Sequence, residues 1–399
     1  MSLDSKAVRR EFALLERELG GQPLTYLDSA STAPRPRVVL AAIGRYHAEF
    51  TGNVHRGVHA LASEASEAFE AARHVVAAHL GATPGEVVFT AGVTDAANLV
   101  ADALALGPEH EVVTTQVEHH SNLLPWRKRA TVRTLPTRDD GCPEFDALES
   151  VCTPRTRLIA VHHVSNVLGT LAPIERITAF ARARGIRTFV DGAQSTGHVP
   201  LDMRRLGCDF FAFSGHKVGG PAGSGALFVR EALLDELATA RVGGGMVARV
   251  RDGDCEWRSG AARFEAGTPN VEGVLGLAAA LAWLARLGRE DVAAHSALLA
   301  RQMYEQCARL PGVRVLGSTQ LEQRTPLVSL VLPAGGLDAQ SVARTLSDAF
   351  GVLVSAGQHC THPLHERLEL DATLRASAWI HNDEGDIERF VGALRGLIA

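Results

Sequence analysis

The sequence predicts an α/β protein: a large domain on a mostly parallel sheet, followed by a smaller carboxyl-terminal α/β domain. Three observations carry this. The chain has 399 residues, too many for one simple core. Short apolar runs alternate with stretches of helical periodicity, as when crossover helices cover a parallel sheet on both faces. Several runs also end in polar or glycine-containing loops, and in such sheets the ligand sits beyond the carboxyl ends of the strands.

The amino-terminal stretch MSLDSKAVRREFALLERELG sets Val8, Phe12, Leu15 and Leu19 at helical spacing, which predicts an amphipathic helix packed on another element. It is charged throughout and has no apolar signal core. Strands are expected at EVVFT (86–90), EVVTT (111–115), RLIAV (157–161), RTFVD (187–191), DFFAFSG (209–215) and GALFV (225–229). The first of these leads into the helical TDAANLVADALAL. Residues 242–267 are rich in glycine and charge and poor in periodicity, so a long loop is expected. A helix near 271–287, too short an apolar run to cross a bilayer, links the domains. VRVLG, PLVSLVLP and FGVLVSAG follow as strands of a smaller, partly antiparallel domain. The expected division is a helical segment at 1–25 packing on the small domain, a large domain at 26–270 and a small domain at 271–399.

The formal net charge is −5 with no dense Lys/Arg run, so neither nucleic acid nor an anionic membrane is expected as main partner. Six scattered cysteines without a CxxC pair argue against a disulfide framework and against a zinc cluster. No metal is expected, and a reducing, cytoplasmic setting follows.

Five stretches carry chemistry. In FSGHKVGGPAGSGALFV, Lys217 follows a strand beside His216 and precedes a flexible glycine-rich turn; such a lysine can join an aldehyde if its ammonium pKa is lowered. In FVDGAQSTGH, Asp191 ends a strand, where a buried acid needs a partner such as a protonated pyridine nitrogen, and Gln194 lies one turn on. In FTAGVTDAANLV, Thr94 opens a helix whose free N–H groups suit a phosphate. In QVEHHSNLLPW, His119 follows a strand and can stack on an aromatic ring. In VSAGQHCTHPL, Cys360 lies between two histidines, either as a nucleophile or as a small buried residue. Singly, these residues also read as a solvated lysine, helix caps, a surface histidine and core filler. Together they supply a phosphate cradle, a stacking ring, a pyridinium partner and an aldehyde-binding lysine, the set that pyridoxal 5′-phosphate requires.

From YLDSASTAPRP (26–36) to RASAWIHNDEGDIERF (375–390), the chain resembles the class V aminotransferase group of fold type I, pyridoxal-phosphate-dependent enzymes. It is most like the group II cysteine desulfurases and selenocysteine lyases. The blocks between include GNVHRGVHALA, VSNVLGT, DGAQSTGHVPLD, CDFFAFSGHKVGGPAGSGALF, RFEAGTPN and GQHCTHPL. The resemblance implies a homodimer with its active site at the subunit interface. Lys217 would bind the cofactor aldehyde, Asp191 the ring nitrogen and Gln194 the ring oxygen, with His119 stacked on the ring. Thr94, Ser214 and His216 would hold the phosphate, with Thr268 reaching across from the partner chain. Asn166 would face the substrate or the ring oxygen, His55 would face the substrate, and Arg375 would clamp its α-carboxylate. Cys360 would take sulfur from L-cysteine as a persulfide, release L-alanine and hand the sulfur to an acceptor protein. The alternative is a C–S lyase of the same group acting on a cysteine conjugate.

The chain departs from the family pattern at three places. Ser355 stands where an arginine is usual and Gln358 where a histidine is usual. Val93 replaces a common threonine, and Ile380-His381-Asn382 replaces a Tyr-Asn-Thr run, the first and third departures being expected on the substrate side.

Overall fold

The computed structural model describes residues 3–398. Seven strands form the main sheet: β1 (Val87–Thr90), β2 (Glu111–Thr114), β3 (Thr131–Thr134), β4 (Thr156–His162), β5 (Arg187–Asp191), β6 (Phe210–Ser214) and β7 (Gly225–Val229). Their order across the sheet is β1-β7-β6-β5-β4-β2-β3, and only β7 runs antiparallel to its neighbours.

The strands read as continuous apolar runs because both faces are covered. Phe189, Phe210, Ala212 and Leu227 enter one core, while Val190, Phe211, Phe213 and Ala226 enter the other. β3 escaped the sequence reading for the opposite reason: it is a short edge strand, mostly exposed, with too little apolar content to announce itself. Gly192, which turns the chain after β5, has a packing reason to be glycine. A Cβ there would lie 1.9 Å from Cζ of Phe211.

A second sheet comprises β8 (Arg314–Val315), β9 (Leu327–Val331), β10 (Ser355–Gly357) and β11 (Thr373–Ser377), ordered β8-β9-β11-β10 and antiparallel throughout. Its core gathers Leu330, Leu346, Leu374, Phe390 and Leu394, together with Leu27 from the amino-terminal side. Thr25–Tyr26 also pairs with Val352–Leu353, so residues 25–27 join this region rather than the main sheet. The helix Val271–Leu287 lies on the other side of the expected boundary: its Leu277, Leu281 and Leu284 pack into a core of the main sheet. Among the described residues no single helix is long and apolar enough to cross a membrane.

Two expectations are corrected. The amino-terminal stretch is not one helix. A helix at Ser5–Arg10 gives way to extended Phe12, a 3-10 turn at Ala13–Glu16 and a short strand pair, Glu18–Leu19 with Gln22–Pro23. Tertiary packing overrides the local periodicity here. Phe12 is fully buried, with its ring centroid 5.4 Å from Trp283, 6.0 Å from Trp379 and 5.3 Å from His381. The expected loop at 242–267 contains a hairpin, Val247–Arg251 with Asp254–Trp257. Its turn carries Asp252-Gly253 with Gly253 at φ +77°, a local signal the periodicity reading passed over.

Phe12→Ala is expected to destabilise the protein by about 3–5 kcal/mol, since the aromatic nest cannot close over the void. A lowered melting temperature measures the loss, and an unchanged one would contradict the nest's role.

Candidate active site

A cavity of about 380 Å³ opens beyond the carboxyl ends of β4, β5 and β6. Its floor is set by how the strands end. Asp191 is the last residue of β5 and is 7% exposed. One carboxylate oxygen, Oδ1, accepts from the Ala193 N–H at 2.9 Å, and the other has no hydrogen bond among the described residues. Burial lifts this acid to about 6, with Glu118 adding to the rise and Lys217 opposing it. Lys217 ends the 3-10 turn after β6, and its Nζ donates to the Ala30 carbonyl. Gln194 Nε2 donates to the same carbonyl at 2.9 Å. Burial, aided by Arg375, brings the Lys217 ammonium down to about 8.

His119 lines the cavity wall beyond β2, and its Nδ1 accepts from the Ser121 N–H at 3.1 Å. That contact leaves the ring proton on Nε2. Burial first, and Lys217 next, hold its pKa down to about 4, so the ring is neutral.

The helix Val93–Ala103 begins at the same rim, and its N-cap residue, Gly92, offers no side chain to its first turn. Gly92 has φ +137°, and a Cβ there would lie 2.8 Å from Ser214 Oγ. Only glycine allows this approach, which lets the Val93 N–H reach Ser214 Oγ at 3.1 Å. Thr94 Oγ1 lies 2.6 Å from Ser121 Oγ. His216 closes this end, its pKa pushed down to about 4 by burial and by Lys217. The free N–H groups of this first turn and three hydroxyls form an anion cradle, while the Asp95 carboxylate of the same turn pairs with Arg241 outside the cavity.

The second sheet supplies the opposite wall. Arg375, in β11, is 4% exposed. It donates to the Asn166 carbonyl at 2.9 Å, to Ser31 Oγ at 2.6 Å and to Asp28 at 3.4 Å, while its Nε has no partner among the described residues. Asn166 Nδ2 donates to the His359 carbonyl at 2.8 Å, and the His120 N–H donates to the Cys360 carbonyl at 2.9 Å. These bonds hang the cysteine loop over the cavity, with Cys360 exposed at its mouth. Of the neighbouring histidines, His359 lines the cavity and His362 does not. His359 Nε2 lies 3.1 Å from Thr373 Oγ1, and His362 stands edge-on to His120 at 4.4 Å.

The cavity therefore brings together Lys217, Cys360, His119, Asp191, Gln194, Thr94, Ser214, His216, Arg375 and Asn166. It does not include Thr268 or His55 of the same chain. These line a separate cavity, also of about 380 Å³, where His55 pairs with Glu70 at 3.2 Å. Ser31, Ser121 and His162 were not singled out from the sequence but line the first cavity, as does His359, one of the two histidines flanking Cys360. His162 ends β4, so the strand-end argument that found Asp191 applies equally to it. Ser355 lies in the cavity wall. Gln358 turns outward to the Asp371 carbonyl at 3.2 Å, and the stretch at residues 380–382 is core rather than substrate side. Asn382 bonds the Tyr26 carbonyl at 3.1 Å and Asp386 at 2.9 Å, which corrects the expectation for that departure.

The family model for aminotransferase class-V matches residues 25–390, and the chain belongs to this family. It is 37% identical over 401 aligned positions to a probable cysteine desulfurase of Halalkalibacterium halodurans, covering 98% of this chain and 97% of that protein. The apo structure of a cysteine desulfurase from Thermococcus onnurineus superposes with a TM-score of 0.93 at 32% identity, covering 100% of this chain and 98% of the other. An Escherichia coli cysteine desulfurase gives 0.89 at 34% identity, with both chains covered completely. The fold is thus that of the fold type I, pyridoxal-phosphate-dependent enzymes.

Because its folded-state pKa is depressed, Lys217 contributes stability above its ordinary value of 10.5 and loses it as pH falls through about 8. Its nucleophilicity is expected to follow the same group. Trapping of a small aldehyde on the apoprotein with borohydride, read by mass at Lys217, should rise through pH of about 8. A rise only near 10.5 would contradict the burial effect.

Proposed function

We propose that this member of the class-V aminotransferase family is a pyridoxal-phosphate-dependent cysteine desulfurase that converts L-cysteine to L-alanine and leaves the sulfur as a persulfide on Cys360. The observation that carries the reading is an exposed thiol held over the same cavity as Lys217, Asp191 and Arg375. A C–S lyase acting on a conjugate needs no such thiol, so the desulfurase reading is preferred.

The residues fit the cofactor. Asp191 is a buried acid with, among the described residues, a free oxygen and no cationic partner at hydrogen-bond distance, as a ring nitrogen requires. The helix start with Thr94, Ser214 and His216 suits its phosphate, and Ser121 offers a hydroxyl near the place where Val93 lacks one. Lys217 is the amine for its aldehyde, and Gln194 and His119 flank the ring position.

When bound, pyridoxal phosphate supplies an aldehyde for the substrate amine and a protonated ring that withdraws electrons from the substrate α-carbon. The chain's residues do the rest. Arg375 and Asn166 hold the substrate carboxylate end. Lys217, poised near neutral pH, takes the α-proton and returns it. His119 covers the ring and excludes water. Cys360 Sγ, as thiolate, attacks the substrate sulfur. An S–S bond forms, the Cβ–S bond breaks with its electron pair left on carbon, and protonation there completes alanine. The balance is one thiol plus cysteine giving one persulfide plus alanine. A thiol of an acceptor protein then removes the outer sulfur.

The active unit in this reading is a homodimer. Thr268 and His55 of one chain complete the cavity of its partner, which accounts for their separate pocket on a single chain. A reducing cytoplasmic location fits six cysteines that are all unpaired.

Cys360→Ser is expected to retain the cofactor but to lose alanine formation from cysteine by on the order of 10³-fold or more. Alanine and the mass of Cys360 are the readouts, and a Ser variant that still turns over would sink the persulfide route. Arg375→Lys is expected to raise KM for cysteine about tenfold, because a lysine cannot reproduce the guanidinium fork. An unchanged KM would remove Arg375 from substrate binding.

A further inference from the structure

Behind the cavity wall lies a second buried carboxylate. Glu118 is fully buried. Its Oε1 accepts from the Thr115 hydroxyl at 2.8 Å and contacts His162 Nδ1 at 2.7 Å, while its Oε2 accepts from the Asn122 amide at 2.7 Å. Trp126 Nε1 fixes Asn122 in turn, at 3.0 Å. Three donors on two oxygens suit an ionised carboxylate, and a buried ion needs a counter-ion. Among the described residues, the one basic side chain in contact with Glu118 is His162.

His162 has a second neighbour. It ends β4 as Asp191 ends β5, and the two are partners across the parallel strands, both lining the cavity. One imidazole thus stands beside two buried carboxylates, and two carboxylates this close oppose each other's ionisation. At Asp191, burial and then Glu118 push the pKa up, while the Ala193 N–H, Lys217 and then His162 push it down. His163, the next residue, is held neutral by burial and adds no charge.

We propose that His162 is a positioning residue that serves as the shared counter-ion of Glu118 and Asp191, so that Asp191 stays ionised for the cofactor's ring nitrogen. The inference rests on the pyridoxal-phosphate reading of this site. Glu118 is held for its own structural task by Thr115 and Asn122, and His162 keeps that charge from acting on Asp191. A neutral side chain at 162 leaves Glu118 unopposed and drives Asp191 toward its protonated form, which pairs poorly with a cationic ring.

The test measures binding of pyridoxal phosphate to the apoprotein by fluorescence titration for the parent, H162Q, E118Q and the double variant. Glutamine at 162 keeps a hydrogen-bond donor and loses the charge. H162Q is expected to weaken binding at least about tenfold, the equivalent of one pKa unit at Asp191. Adding E118Q removes the unopposed carboxylate and should restore binding to within about threefold of the parent. A role in shape or hydrogen bonding alone gives no such rescue. H162Q binding like the parent, or a double variant as weak as H162Q, overturns the proposal. Where H162Q does not melt cooperatively, E118Q alone decides: binding within about tenfold of the parent or tighter supports the proposal, and a greater loss overturns it. A parent protein that fails to bind the cofactor instead overturns the functional reading itself.

Discussion

The constraint on which this structure turns is the burial of opposite charges in one cavity without direct neutralisation. Lys217 donates to a backbone carbonyl rather than to a carboxylate, and Asp191 accepts from a backbone N–H rather than from an ammonium. Arg375 makes its two short bonds to neutral acceptors, the Asn166 carbonyl and Ser31 Oγ, and meets the half-buried Asp28 only at 3.4 Å. Burial therefore works against each charge, bringing Lys217 down to about 8 and Asp191 up to about 6. Groups held this way favour a ligand that carries the missing counter-charges. The sheet makes this possible, because β4 and β5 end level, His162 beside Asp191, while β6 runs on past Ala212 to Ser214, and this register fixes where each side chain emerges.

The cysteine loop depends on that frame from the other side. His359 and Cys360 both lie in the left-handed region, at φ +49° and +57°, a backbone conformation that costs about 1–3 kcal/mol per non-glycine residue. The strain persists because both carbonyls are captured, His359 by Asn166 and Cys360 by the His120 N–H. Those captors belong to the main-sheet side, whereas β10 and β11 bracket the loop from the second sheet. Cys360 is thus placed by a bridge between two sheets, which aims the thiol while leaving it exposed.

Much of this was legible in the sequence where one physical signal dominates. The β5 and β7 runs, RTFVD and GALFV, coincide with the observed strands because double-sided burial leaves them uninterrupted. Lys217, Asp191 and His119 were legible because a charged or aromatic residue after such a run must serve a ligand or find a partner. The signal failed where long-range packing decides. Phe12 was assigned to a helix by its spacing, but Trp283 and Trp379, hundreds of residues away in sequence, pull it into extended backbone. β11 was missed because Arg375 interrupts its apolar pattern, a polar residue at the centre of a buried strand. Ser121 carries no unusual spacing, and only the sheet brings it to the cavity, whereas the strand-end argument, applied to RLIAVH, reaches His162.

The departures from the family pattern separate on the same physical ground. Gln358 turns outward, and Ile380, His381 and Asn382 are core residues, so their substitution leaves the cavity wall unchanged. Ser355 differs, because it lies in the wall and pairs across β10 and β11 with Arg375 itself. With serine there, Arg375 is the one guanidinium among the described residues lining the cavity. On the proposed reading, carboxylate recognition then falls to a single planar fork whose Nε has no protein partner. The small hydroxyl beside it leaves room where a longer cationic side chain would stand. On that reading, Arg375 meets the carboxylate with a neutral hydroxyl rather than a second cation beside it.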